Sequence, residues 1–195
     1  MVMARRKYDF KPDNFRATLA SKLYLTPKQR LTILRWFLFV ALLVVTSVLQ
    51  DVILCRFQLF GATSDLVPSV IILSCMIMGA NTSAIFVLLA ALGYQASGTA
   101  PGYYVVPLIV FLSLLLSLFR ESFLRKSFSS VMLSAGVAVL VYEMLLFVIG
   151  FAFGDTRLDR WMVFLITGGL SVITLPIMYP IVKTIAKIGG EVWKE

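Results

Sequence analysis

The sequence predicts an all-α polytopic membrane protein with six transmembrane helices and with both termini on the inner side. Of its 195 residues, 59% are hydrophobic and only 14% are charged, and the mean hydropathy is +0.92. A soluble domain of this size needs far more polar surface. Several apolar runs approach or exceed the roughly 18 residues that cross a bilayer. Most Lys and Arg residues fall in segments that a six-span layout places on one side.

Residues 1–30 form a basic lead-in that we expect on the cytoplasmic side. Phe15, Leu19 and Leu23 recur every four residues, which is typical of an amphipathic helix on an anionic membrane surface. A disordered basic tail fits the same residues equally well. The first span follows at residues 31–52.

The stretch from residue 66 to residue 95 decides the topology of the rest. As one helix it is roughly 45 Å long, too long for one comfortable span and short for two. Two crossings, at 66–78 and 83–95 with a turn at 79–82, place fifteen of the 18 Lys and Arg residues inside. A single crossing moves the cluster at 120–126 outside. Because orientation follows Lys and Arg in short loops, two short or tilted helices are predicted.

Three further spans complete the membrane domain, which covers residues 31–182. They are predicted at 103–119, 128–153 and 161–182, and residues 183–195 form a cytoplasmic tail. The last span contains two prolines, and these predict a kinked helix because each breaks the backbone hydrogen-bond ladder.

One acidic residue, Glu143, lies deep within a predicted span. A charge at that depth costs on the order of 2.5–3.5 kcal/mol. Gly136 and Gly150 lie seven residues on either side of it, so the three share one stripe of the helix, where glycines permit close approach of another helix. Three interpretations stay open: a polar lock to a partner chain, in which the adjacent Tyr142 takes part, a proton or substrate site, and an internal hydrogen bond that only fixes packing.

A second stripe of small residues, Ser130, Ser134 and Ala138, lies on the same helix. Helix packing is its usual role in membranes, and partner contact is the alternative. On the inner side, Arg120, Arg125 and Lys126 are expected to face anionic lipid.

Enzymatic chemistry finds no support in the sequence. The chain has no histidine, which removes histidine-based zinc and general-base mechanisms, and it contains neither a nucleophile elbow nor a phosphate-binding loop. Its four outer-loop acids, Asp51, Asp65, Asp155 and Asp159, are scattered among different loops. We therefore expect no enzyme, no cofactor and no metal site. The basic residues are not interleaved with aromatic residues, so no nucleic-acid partner is indicated.

A set of short motifs between Leu49 and Lys183 resembles the rod-shape-determining MreD family of bacteria. The motifs are Leu49-Gln50, Leu59-Phe60-Gly61, Asp65-Leu66, Ser97-Gly98, Pro101-Gly102, Arg120 and Tyr142-Glu143. The chain departs from the family pattern at Ser64, where a proline is common, and at Gln95, where an acid is common.

The resemblance implies a non-enzymatic scaffold in the bacterial inner membrane that helps to maintain rod shape. Its expected partner is an MreC-like single-pass protein, and through it a RodA-type glycosyltransferase, a class B penicillin-binding protein and MreB filaments. The expected fold is similar to that of the substrate-binding subunits of energy-coupling-factor transporters. A vitamin-binding subunit of such a transporter is therefore the alternative. The absence of its Ala-x-x-x-Ala motif, since Ala41 is followed by Val45, and of an obvious polar pocket-lining set favours the scaffold.

Overall fold

The computed structural model describes residues 27–123 and 127–188, and within them the regular structure is entirely helical. Six α-helices, numbered here in chain order, are α1 Pro27–Val52, α2 Leu66–Ile77, α3 Ala80–Ala96, α4 Val105–Phe123, α5 Phe128–Ala152 and α6 Trp161–Lys187. Two short 3-10 helices, Leu54–Arg56 and Leu158–Arg160, precede α2 and α6. The predicted all-α class is confirmed. The predicted lead-in helix, Arg125, Lys126 and most of the predicted tail lie outside the described residues.

Helix α2 is the centre of the fold. All 12 of its residues are buried, and it packs against each of the other five helices. At 1.5 Å per residue it is roughly 18 Å long, well short of the roughly 30 Å hydrocarbon core of a bilayer. Both of its ends therefore lie inside the protein, where backbone groups need partners from other helices.

Helices α2 and α3 form an antiparallel pair. Met78 and Gly79 between them are extended, and the hydroxyl of Tyr94 near the end of α3 lies 3.2 Å from Oδ1 of Asp65, just before α2. The chain thus folds back at residues 78–79, so a single continuous helix from 66 to 95 is excluded.

In the part of the chain that the structure describes, three helices are long and apolar enough to cross a membrane, at Lys28–Arg56, Phe128–Ala152 and Leu158–Lys187. In the most apolar 18-residue stretch of each helix, only 11% of the residues are buried within the protein in the first helix and 17% in the third, against 44% in the second. Helices α1 and α6 therefore present broad apolar surfaces outward, which is typical of a membrane protein. Helices α2, α3 and α4 are shorter apolar helices. Helix α6 continues through both prolines.

Candidate functional site

The amino-terminal end of α2 is held by polar side chains from three other helices. The side chain of Gln50 on α1 bridges two groups: its Nε2 donates to Asp65 Oδ1 at 2.8 Å, and its Oε1 accepts from the backbone N–H of Val67 at 3.0 Å. The hydroxyl of Ser171 on α6 accepts from the backbone N–H of Asp65 at 2.8 Å. Tyr94 of α3 also donates to the Asp65 carboxyl. The free N–H groups at this helix end thus gain acceptors from α1 and α6.

Asp65 lies just before α2, outside the helices, and is partly buried. Loss of hydration on burial raises the pKa of the Asp65 carboxyl above its ordinary value. The hydrogen bonds from Gln50 and Tyr94 act in the opposite direction, because they favour the charged form. Burial has the larger effect on this carboxyl.

A cavity of about 240 Å³ opens beside Asp65, between the end of α1, the end of α3, α5 and the start of α6. Seven polar side chains line it: Gln50, Thr63, Asp65, Tyr94, Thr99, Glu143 and Thr167. The rest of the lining is Gly61, Pro101, Leu146, Val163 and Phe164. The expectation that the chain lacks a polar pocket-lining set is therefore wrong. We call this space the polar cavity.

Glu143 reaches the polar cavity from the middle of α5. Its side chain is only 2% exposed, and its Oε1 has no hydrogen-bond partner in the described structure. The close approach of α6 depends on Gly168, where an added Cβ would lie 3.0 Å from Leu140 Cδ2 and 3.3 Å from Glu143 Cγ. Glu143 therefore lines the polar cavity with a carboxyl oxygen that makes no hydrogen bond.

The other residues of the Glu143 stripe contact the chain itself. Gly136 faces Val172 of α6, with an added Cβ 3.4 Å from its Cγ1. Gly150 lies under Thr156 of the loop that follows α5, and its carbonyl accepts from the N–H groups of two loop residues. Tyr142 is fully buried. Because this chain buries the whole stripe, it offers little surface to a partner chain, and the internal hydrogen bond of the packing interpretation is absent at Oε1 of Glu143.

The small-residue stripe is also turned inward for most of its length. Ser134 and Ala138 are buried, and Ser130 is half-buried. The hydroxyl of Ser134 donates to the carbonyl of Ser130, one turn earlier. These residues offer little accessible surface, so packing within the bundle is their role in this structure.

Arg120 does not face lipid, and that expectation is wrong. Its side chain is 3% exposed, and its Nη1 donates to the carbonyls of Cys75 at 3.2 Å, Met76 at 2.8 Å and Met78. These are carbonyls at the carboxyl end of α2, which carries the negative end of the helix dipole. Arg120 of α4 therefore caps the central helix from outside it.

A second space, apolar and about 400 Å³ in volume, lies between α1 and α3. Its α1 wall runs from Trp36 to Asp51 and its α3 wall from Phe86 to Ser97, roughly 22 Å and 16 Å of helix respectively. An added Cβ at Gly93 of α3 would meet nothing within 4 Å. We call this feature the α1/α3 groove; sequence patterns alone did not indicate it.

Metal binding has no support among residues 27–123 and 127–188, where no group of three or more His, Cys, Asp or Glu side chains could hold an ion. Cys75 is buried, with its thiol 3.0 Å from the carbonyl of Ser113, and Cys55 is exposed. Asp65 and Glu143, the two acids at the polar cavity, lie far apart in the sequence. The sequence features that could have indicated them are an acid directly before an apolar run and an acid inside one.

Comparisons of the chain with protein-family models, curated proteins and solved structures give no match.

Proposed function

We propose that this chain is a non-enzymatic membrane scaffold of the MreD type, which serves cell-wall elongation in the bacterial inner membrane. The proposal rests on the family resemblance and on one structural observation, the α1/α3 groove. In this proposal six helices cross the membrane with both termini inside, and the scaffold binds an MreC-like single-pass protein. RodA-type glycosyltransferase, class B penicillin-binding protein and MreB filaments are reached through that partner.

The groove suits the transmembrane helix of a single-pass partner. It follows two adjacent helices for roughly three to four helical turns, its walls are mostly apolar, and the small residues Ser47, Ala90 and Gly93 form part of its lining. Small residues let a second helix backbone approach closely, which is how membrane helices associate without a hydrophobic driving force. Helix α1 is also the least covered of the three long helices.

The alternative function is a vitamin-binding subunit of an energy-coupling-factor transporter. The polar cavity is the observation that favours it. Its volume of about 240 Å³ counts against it, because pockets for drug-sized ligands usually hold about 300–1,000 Å³. A vitamin is of drug size, so the scaffold remains the better-supported function.

Affinity purification in mild detergent, followed by mass spectrometry of proteins and small molecules, tests the proposal. We expect recovery of an MreC-like chain with peptidoglycan synthases. Gly93→Leu should reduce that recovery by about tenfold or more, because leucine fills the groove. Gly169→Leu is the matched control, since an added Cβ at Gly169 also meets nothing within 4 Å. Recovery of a vitamin with two ATPase subunits would refute the scaffold function. Equal capture of the MreC-like chain by both variants would refute the α1/α3 groove as its binding site.

A further inference from the structure

The polar cavity contains two carboxyl groups and no neighbouring cationic side chain among its lining residues. Two carboxyls, Asp65 and Glu143, line it, and none of the described residues around it is Lys or Arg. Asp65 is supported by the Gln50 amide and the Tyr94 hydroxyl and by its position at the amino-terminal end of α2. No comparable support reaches Oε1 of Glu143.

The unpartnered oxygen of Glu143 is the observation that indicates a ligand. A buried polar atom without a hydrogen bond costs on the order of 1–3 kcal/mol, and native proteins leave few such atoms. Glu143 is 2% exposed and lines the cavity, so a donor that enters the cavity can reach it. A positively charged donor suits a carboxyl better than a neutral one.

The remaining walls indicate what kind of cation fits. Besides its polar side chains, the cavity is lined by Leu146, Val163 and Phe164, and by Pro101, which is exposed. A bare metal ion prefers oxygen ligands on all sides, whereas apolar side chains form part of this lining. An aromatic ring such as Phe164 also attracts ammonium groups. The volume, equivalent to roughly eight water molecules, limits the ligand to a small molecule.

We propose that the polar cavity binds a small alkylammonium ion, with its charged nitrogen between the carboxyls of Asp65 and Glu143 and its hydrocarbon part against Leu146 and Phe164. This inference goes beyond the scaffold role and does not depend on it. Partner capture at the α1/α3 groove and amine binding at the cavity involve different residues, with Tyr94 as the one side chain that lines both spaces.

Calorimetric titration of the full chain in lipid nanodiscs tests the proposal, with n-butylammonium as the probe. Butanol and butyrate are the matched compounds, because they keep the carbon body and lack the positive charge. We expect saturable binding of n-butylammonium and about tenfold or weaker binding of the other two. Absence of binding, or equal binding of butanol, would overturn the proposal. Equal competition by sodium or potassium ions would also overturn it, since the site would then be one for a bare cation.

Variants locate the binding at the cavity. Glu143→Gln should weaken butylammonium binding by about tenfold or more, because an amide of similar volume cannot become the carboxylate that pairs with the ammonium group. Thr167→Leu should also weaken it by narrowing the cavity with both carboxyls intact, which covers the case in which the first variant misfolds. Asp155→Asn is the control, since Asp155 is exposed in the loop after α5 and does not line the cavity. Folded Glu143→Gln and Thr167→Leu proteins that bind as tightly as the control would refute the assignment.

Discussion

Removal of the guanidinium of Arg120 should expose how strongly the centre of the fold depends on its cap. Arg120→Met keeps a long side chain of comparable reach and removes every donor. The variant leaves the carbonyls of Cys75, Met76 and Met78 without this donor at the buried carboxyl end of α2. Nη1 carries only two hydrogens, so at most two of these bonds are well aligned at one time.

The expected loss of stability follows from those two bonds. A hydrogen bond from a charged donor contributes about 1.5–3 kcal/mol, which gives roughly 3–6 kcal/mol for two. Relief from burying the charge offsets part of this, so we expect a net loss of about 2–4 kcal/mol. For a chain of 195 residues, each kcal/mol lowers Tm by about 2–4 °C. The variant should therefore unfold roughly 4–16 °C below the wild type.

Thermal unfolding in one detergent, followed by tryptophan fluorescence, measures this difference. Arg120→Lys should recover part of the loss, because its ammonium keeps the charge and three donors. Arg157→Met is the matched control: Arg157 is exposed in the loop before α6, and its Tm should stay within about 1 °C of the wild type. If Arg120→Met unfolds at the same temperature as Arg157→Met, the cap does not stabilise α2 and the reasoning fails.

Three further predictions test packing, titration and sidedness. Gly168→Leu should lower Tm by several degrees more than Gly169→Leu, because only at Gly168 would an added Cβ meet α5; equal effects would contradict the close approach of α5 and α6. Since burial raises the pKa of Asp65, the carboxyl of Asp65 binds a proton more tightly in the folded state than in the unfolded state. Stability should therefore rise as pH falls from about 7.5 to about 5, and Asp65→Asn should reduce that rise; an unchanged slope would contradict it. A membrane-impermeant thiol reagent outside intact cells should label the exposed Cys55, whereas Ser127→Cys in a Cys55→Ala background should stay unlabelled, and labelling at Ser127→Cys would refute the proposed topology.

The helix positions could be predicted because they follow from local chemistry. Apolar runs and polar breaks gave the starts of α2, α5 and α6 at Leu66, Phe128 and Trp161, and the structure has the same residues. Helix α3 begins three residues earlier than predicted, since the N–H of Ser83 already bonds the carbonyl of Gly79 at 2.8 Å. Helix α4 begins later, at Val105, because Tyr103 and Tyr104 form a turn.

The role of Arg120 could not be predicted from its neighbours in the sequence. Counting cations by loop assigned it to the lipid surface, because it ends an apolar run beside two other basic residues. Its acceptors lie 42 to 45 residues earlier in the chain. A charge at a helix end can face headgroups or a neighbouring helix end, and only the tertiary packing decides between them. The same holds for Asp65 and Glu143, which no local pattern brings to one cavity.

The two polar sites share one physical origin, the shortness of α2. A helix of 12 residues that is enclosed by others leaves free N–H groups at one end and free carbonyls at the other, all away from bulk water. The neighbours supply groups of the appropriate sign: the carboxyl of Asp65 lies at the positive end of the helix dipole and the guanidinium of Arg120 at the negative end. Gln50, Tyr94 and Ser171 form a polar cluster at the amino-terminal end of α2, and the polar cavity opens beside that cluster. In a chain this apolar, the ends of a buried helix are where polar chemistry can be kept, and both sites lie there for that reason.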